Sequence, residues 1–331
     1  MRRKVSCILI SIWLALLFSI LGFSSTWLEG KLAFVRRGPS QWDILVLEQG
    51  RVYKVLTAGV IQRVSWSPDG QEIVFNQLEF NGPISKKSTI YIVGSHGEGL
   101  RKLKIEGGNY KFRGAYVPDW SPKGDEIAFL GVFETKSGVK EEIFTVKTSG
   151  KGLREITHDR VSPGIDYLSW APDGRRIAFD RGSWEERNQD LFIVDVITGE
   201  VERLTQTRGI SEYSPSFSPD GKRIAYTTLS NGIFIMDLES RDHIRIPLPD
   251  RLDVRHSKIT WSPEGDRIVF DAGGDLYLYD LKSQKLRKLL VDIPGRKSCP
   301  DWWWGESRAL RPLNLLYTIW SLIKVNGMKS R

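Results

Sequence analysis

Between residues 30 and 304 the apolar positions fall in short runs, such as Ile73-Val74-Phe75, Thr89-Ile90-Tyr91-Ile92-Val93 and Leu191-Phe192-Ile193-Val194, each bounded by polar turn residues. Helical spacing is absent from this interval, so the pattern predicts short strands throughout. The runs recur in a fixed order. Five times an aromatic residue is followed by a Pro-Gly corner: Trp66-Ser67-Pro68-Asp69-Gly70, Trp120-Ser121-Pro122-Lys123-Gly124, Trp170-Ala171-Pro172-Asp173-Gly174, Phe217-Ser218-Pro219-Asp220-Gly221 and Trp261-Ser262-Pro263-Glu264-Gly265. Each corner runs into a second strand: Ile73-Val74-Phe75, Ile127-Ala128-Phe129, Ile177-Ala178-Phe179, Ile224-Ala225-Tyr226 and Ile268-Val269-Phe270.

Proline presets φ for the second position of a type I turn, Ser and Asp bond nearby N–H groups, and Gly takes the left-handed position that re-enters the next strand. A third strand follows, then a turn, then a fourth strand ending near Leu-Thr, as in Val55-Leu56-Thr57, Glu155-Ile156-Thr157 and Arg203-Leu204-Thr205. The proline-to-proline intervals are 54, 50, 47 and 44 residues, in or near the range of one four-stranded propeller blade.

The two ends of the array complement each other. Residues 31 to 57 supply a second, third and fourth strand with no first, whereas Cys299-Pro300-Asp301-Trp302 matches Val117-Pro118-Asp119-Trp120 as a first strand with no blade of its own. Pairing the late strand, about 298–303, with the early three, about 31–57, leaves no orphan inner edge. The expected fold is all-β: a six-bladed β-propeller of four-stranded antiparallel blades, with the aromatic of each corner packed between neighbouring blades.

The Trp-Ser-Pro-Asp-Gly-x-x-Ile-Ala-Phe pattern, covering roughly residues 30 to 304, resembles the WD-like Pro-Asp repeat of TolB-type β-propellers. TolB itself carries an α/β domain ahead of its propeller, whereas this array begins within a few residues of the leader, so the resemblance implies a stand-alone propeller lacking that N-terminal domain. It also implies a non-catalytic scaffold in the cell envelope that takes up a peptide segment at the mouth of the central channel.

The formal charge of +8 is carried by the ends. They hold eight of the 48 basic residues and one of the 40 acids, leaving the propeller near +1. That excludes the clustered Lys/Arg that phosphate-backbone binding needs. Arg2-Arg3-Lys4 followed by the uncharged stretch Val5 to Phe23 predicts export through residues 1–25, either as a cleaved signal peptide or as an uncleaved N-terminal anchor. In both cases the propeller lies outside the cytoplasm, periplasmic or extracytoplasmic. Residues 305–331 form a tail whose segment 313–325 reads as a short apolar helix that docks on the propeller, a partner or a membrane surface.

The search for chemistry excludes more than it finds. No Gly-x-Ser-x-Gly elbow is present. His96, His158, His243 and His256 share no blade position and no metal-ligand spacing. Cys299 is the one thiol outside the leader and reads as a small buried residue. Glu141-Glu142 and Trp184-Glu185-Glu186-Arg187 read as solvated surface. No catalytic residue, metal or cofactor is expected. Loops on a rigid scaffold carry function, and Trp, Tyr and Arg anchor interfaces. The face holding the blade-to-blade connections gathers Phe80, Asn81, Tyr110, Arg113, His158, Asp159, Arg160, Trp184, Arg187, Tyr213, Arg255 and His256. All of these but Phe80 and Asn81 form the candidate site for a protein or peptide partner. The propeller is expected to be monomeric, with membrane contact through residues 5–23 or 313–325. Two alternatives stay open: a hydrolase or lyase acting on glycan or peptide at the channel mouth, and an architectural component of an envelope assembly.

Overall fold

A computed structural model describes residues 28, 30–80, 86–158, 164–183, 188–230 and 232–303. The expected leader at 1–25 and tail at 305–331 lie outside the described residues. Twenty-four strands form six antiparallel four-stranded sheets. Blade I combines β1 (Lys31–Arg37), β2 (Trp42–Glu48) and β3 (Arg51–Ala58) with the last strand of the chain, β24 (Arg296–Trp303), in the order β24-β1-β2-β3. Blade II holds β4 (Val60–Trp66), β5 (Glu72–Phe80), β6 (Lys86–Gly94) and β7 (Arg101–Lys102). Blade III holds β8 (Lys111–Trp120), β9 (Glu126–Thr135), β10 (Gly138–Lys147) and β11 (Arg154–Glu155). Blade IV holds β12 (Leu168–Trp170), β13 (Arg176–Ser183), β14 (Asn188–Asp195) and β15 (Val201–Arg203). Blade V holds β16 (Glu212–Phe217), β17 (Arg223–Thr228), β18 (Gly232–Asp237) and β19 (His243–Arg245). Blade VI holds β20 (Ile259–Trp261), β21 (Arg267–Ala272), β22 (Asp275–Asp280) and β23 (Lys285–Leu289). The closure read from the sequence is present: Leu32 lies opposite Trp302, and Ala33 opposite Asp301.

The corners form as their residues dictate. Gly70, Gly124, Gly174, Gly221 and Gly265 each donate their N–H to the carbonyl three residues back and have φ between 62° and 84°, a region costly for side chains with a Cβ. Corners of successive blades touch: a Cβ on Gly124, Gly221 or Gly265 would come 3.2 Å from Pro68, Pro172 or Pro219 of the preceding blade. Blade I has no such corner. Trp303 fills that place beside Gly70, donating its indole N–H to the Pro68 carbonyl at 3.0 Å.

The corner aromatics Trp66, Trp120, Trp170, Phe217, Trp261 and Trp302 are all buried between blades. At four junctions the residue before the aromatic also accepts the next aromatic's backbone N–H. Asp301 accepts from Trp66, Ser65 from Trp120, Asp119 from Trp170, and Thr260 from Trp302, at 2.7 to 3.1 Å. This belt fixes neighbouring inner strands without sheet pairing between them, and it satisfies N–H groups that burial would otherwise leave unpaired.

Candidate functional site

The lumen is built from the position three residues before each corner aromatic, where the six blades alternate. Blades II, IV and VI place Arg63, Tyr167 and Lys258 there. Blades III, V and I place Val117, Ser214 and Cys299, each followed by a proline. Val117, Ser214 and Cys299 have φ of 45°, 57° and 55°, and each lies at a register shift against its neighbouring strand. Proline cannot donate to a ladder and is tolerated at an edge strand or bulge, so the Pro-bearing inner strands bend there.

The three long side chains use the space so gained. The Arg63 guanidinium stacks on Tyr167 at 4.1 Å, and its Nη1 lies 3.1 Å from the Cys299 sulfur. The Tyr167 hydroxyl donates to the His256 carbonyl at 2.8 Å. Lys258 Nζ donates to the Val64 carbonyl at 3.0 Å and pairs with Asp301 at 3.3 Å. These contacts join blades I, II, IV and VI across the lumen. Two carboxylates, Asp180 buried and Asp271 half-buried, hold the partition from behind. Asp180 accepts the N–H groups of Asp166 (2.8 Å), Tyr167 (3.0 Å) and Ser214 of the next blade (2.9 Å). Asp271 accepts the N–H groups of Lys258 and, across the junction to blade I, Cys299. Burial pushes the Asp180 carboxyl up to about 7, with Asp166 adding to the rise and the three N–H groups opposing it.

Above the partition opens a cup of about 750 Å³, a volume typical of ligand sites; below it remains a chamber of about 50 Å³. Arg63, Val117 and Tyr167 line both, so they form the floor of one and the roof of the other. The cup lies on the face of the blade connections. Its wall carries Arg37 and Trp42 from blade I, Gln62 and Arg63 from blade II, Tyr116, Leu130, Val132 and Glu141 from blade III, and Asp166 from blade IV.

Charge is divided across it. Arg37 stacks on Trp42 at 4.8 Å and donates Nε to Ser298. Burial pulls the Arg63 guanidinium down, but Tyr167, Cys299 and Asp271 outweigh it and leave it above its ordinary range. On the other side, burial pushes the Glu141 carboxyl up and Asp166 adds to the rise, while the Ile165 N–H opposes it. Burial and then Glu141 raise the Tyr116 phenol. Asp166 accepts from the Gln189 amide at 3.2 Å. Among the described residues no three His, Cys, Asp or Glu side chains gather closely enough to hold a metal ion.

The loop residues singled out from the sequence are dispersed. His256 lines the cup, and Tyr213 packs against it with tilted rings whose centroids are 4.4 Å apart. Arg255 is exposed and paired with Asp253 at 2.8 Å. Arg113 is exposed and bonds Glu134, and His158 is exposed beside Glu155. Tyr110 turns inward, edge-on to Phe133 and Phe144, with its hydroxyl on Glu155. Asn81, Asp159, Arg160, Trp184 and Arg187 lie outside the described residues, and Phe80 closes β5. The Glu141-Glu142 pair departs from the solvated reading: Glu141 lines the cup, while Glu142 is buried and accepts the Thr157 hydroxyl. Sequence reasoning passed over Arg37, Trp42, Arg63, Tyr116 and Tyr167. The readable signal was the alternation of large residues with X-Pro pairs once the six repeats are aligned.

Comparison with known proteins agrees with this architecture. Residues 167–289 match the TolB beta propeller domain family, PD40. In fold the propeller is similar to that of TolB. An 86-residue stretch is 40% identical to the Tol-Pal system protein TolB of Francisella tularensis subsp. mediasiatica, covering 24% of this chain and 19% of that protein. A 146-residue stretch is 27% identical to dipeptidyl-peptidase 5 of Porphyromonas gingivalis, covering 38% of this chain and 21% of that protein. The chain thus spans about a fifth of the length of these curated relatives. Among solved structures, TolB from Acinetobacter baumannii superposes with a TM-score of 0.65 at 19% identity, over 86% of this chain and 69% of that one. The propeller fold is therefore shared across most of the chain, while the family model matches residues 167–289. Among the described residues no helix is long and apolar enough to cross a membrane.

Proposed function

We propose that the TolB-like propeller is an extracytoplasmic, non-catalytic scaffold that binds a protein or peptide partner at the channel mouth. The observation that carries this reading is the cup of about 750 Å³, open to the loop face, walled by Trp42, Tyr116, Tyr167 and two arginines, and closed below by the Arg63–Tyr167 partition. A closed floor suits a loop or chain end laid into the mouth and is incompatible with a strand threaded through the ring. Of the candidate loop residues, Arg113, His158, Tyr213, Arg255 and His256 are then the outer rim, with His256 and Tyr213 the members nearest the cup. The resemblance to a protein named for the Tol-Pal system favours a partner in the cell envelope.

The test is affinity capture from envelope extract with the full chain and with the Trp42→Ala/Tyr116→Ala double variant. Loss of the captured partner in the variant, with the same loss absent for Gln71→Ala on the opposite corner face, supports the reading. Retention of every partner contradicts it.

One observation favours a second reading. Glu141 and Asp166 both line the cup, and burial raises the Glu141 carboxyl as a general acid requires, while a relative of part of the chain is named as a peptidase. Hydrolysis of a peptide or glycan by the wild type, abolished by Glu141→Gln, would establish it.

A further inference from the structure

The cup's charges are arranged in a way that neither packing nor closure of the ring requires. Among the described residues Arg37 and Arg63, from blades I and II, form no ion pair with a carboxylate: Arg37 bonds Ser298 and lies on Trp42, and Arg63 bonds the Gln62 carbonyl and Cys299 and lies on Tyr167. The carboxylate that senses both is Asp271, half-buried and already committed to backbone N–H groups. Glu141 and Asp166, from blades III and IV, form no ion pair with a cation among the described residues; Glu141 accepts the Ile165 N–H, and Asp166 accepts the Gln189 amide. Between the two sides the wall is apolar or aromatic: Val60, Tyr116, Val117, Leu130 and Val132. Elsewhere on the propeller the opposite habit holds, with Arg36, Arg101, Arg154, Arg175 and Arg255 each paired to a carboxylate.

Charges held apart around an open cavity, with Arg63 and Glu141 partly buried and Arg37 and Asp166 exposed, gain from a ligand that brings the missing counter-charges in matching order, and the partly buried pair gains most. We propose that the cup selects a peptide segment carrying a carboxylate and a cationic side chain separated by apolar residues, with the carboxylate received by Arg37 and Arg63, the cation by Glu141 and Asp166, and the apolar residues by the wall between them. This rests on the reading of the mouth as a peptide-binding site and specifies what that site prefers. A phosphorylated chain or nucleic acid, anionic along its length, would meet the Glu141–Asp166 side with the wrong sign. A purely apolar segment would leave all four charges desolvated without partners.

The experiment is calorimetric titration of the full chain with two capped tetrapeptides. One has the order aspartate, leucine, leucine, lysine; the other is a neutral isostere with asparagine and norleucine at the ends. The variants are Glu141→Gln and, independently, Arg37→Met, which keeps the stem that covers Trp42. The expected result is binding of the charged peptide at least about tenfold tighter than the neutral one, about 1.4 kcal/mol, with that preference reduced by either variant and by added salt. Equal affinity for the two peptides, or a variant that weakens both alike, overturns the proposal. If both peptides bind equally and Tyr116→Ala weakens both, the charge selection fails and the peptide-binding mouth survives. If neither binds and the Trp42→Ala/Tyr116→Ala variant also keeps its captured partners, both fail together.

Discussion

Single side chains in this molecule do their work through position in the repeat as much as through type. Asp180 shows it. Val35, Asn76, Leu130 and Thr227 hold the equivalent place in blades I, II, III and V and Asp271 in blade VI, whereas in blade IV a carboxylate ties the entry of its own inner strand to Ser214 of the next blade through three N–H bonds. Replacing it with Asn turns one acceptor into a donor that faces an N–H, and the cost of an unsatisfied buried group is about 1–3 kcal/mol. Asp180→Asn should lower the unfolding free energy by that amount, read as a lower urea midpoint at unchanged slope, without abolishing folding. The same residue sets a pH dependence. Its carboxyl titrates at about 7 in the folded protein, against roughly 3.9 in an unfolded chain. Between those limits the folded state holds a proton that the unfolded chain has released, so this group's stabilisation is full below about pH 4 and is lost as pH rises to about 7. Glu212, at about 7, and Asp119, at about 6, both raised chiefly by burial, act in the same direction. Unfolding free energies measured from pH 4 to pH 7 should show a downward contribution that Asp180→Asn reduces; an unchanged slope would assign the dependence to other groups.

At the scale of elements, the inner strands explain both what the ring tolerates and what could be read beforehand. A strand with Arg, Tyr or Lys in the lumen alternates with one bent at an X-Pro pair, so the lumen is filled by three long side chains and relieved by three left-handed positions. Val117→Arg would put a fourth long side chain into that space on a backbone already strained for a β-branched residue. Overpacking of this kind costs about 1–3 kcal/mol, and thermal melting should show a clear loss, whereas Lys111→Ala, on the exposed start of the same strand, should leave the midpoint nearly unchanged. The corners and the closing strand were legible in the sequence because their chemistry is local: proline, Asp and Gly make the turn wherever they occur together, and Cys299-Pro300-Asp301-Trp302 repeats Val117-Pro118-Asp119-Trp120. The cup was less legible because its residues come from four blades and are joined only by closure of the ring. Tyr110 illustrates the difference. A loop tyrosine looks like an interface anchor until the neighbouring Phe112, Phe133 and Phe144 are seen to take its ring into the blade core. Arg63 illustrates the converse, an arginine within a strand pattern whose head group reaches the channel.

On the scale of the whole molecule, the ring is closed by strand pairing and by a contact unlike the others. Where three other junctions stack corner proline on corner glycine and Gly174 meets Lys123, blade I presents Trp303 to Gly70, and Lys31 donates to the Gly70 carbonyl at 3.2 Å. A Cβ at Gly70 would meet the Trp303 ring at 2.3 Å on a backbone with φ of 67°, so Gly70→Ala should loosen the closing junction more than Gly209→Ala, where the added atom meets nothing within 4 Å. Hydrogen exchange of β24 would report the difference. Under the proposed function closure matters because it brings Arg37 of the first blade and Arg63 of the second into one cup with Glu141 of the third and Asp166 of the fourth.

The account stands on the mouth of the ring being where a partner is received. Hydrogen–deuterium exchange of the full chain with and without its captured partner tests this most directly. Protection gathered in residues 37–42, 60–63, 138–143 and 164–167, with the corners at 67–72 and 218–223 unchanged, is the predicted result. Protection of those corners with the mouth unaffected would place the partner on the opposite face and contradict the account.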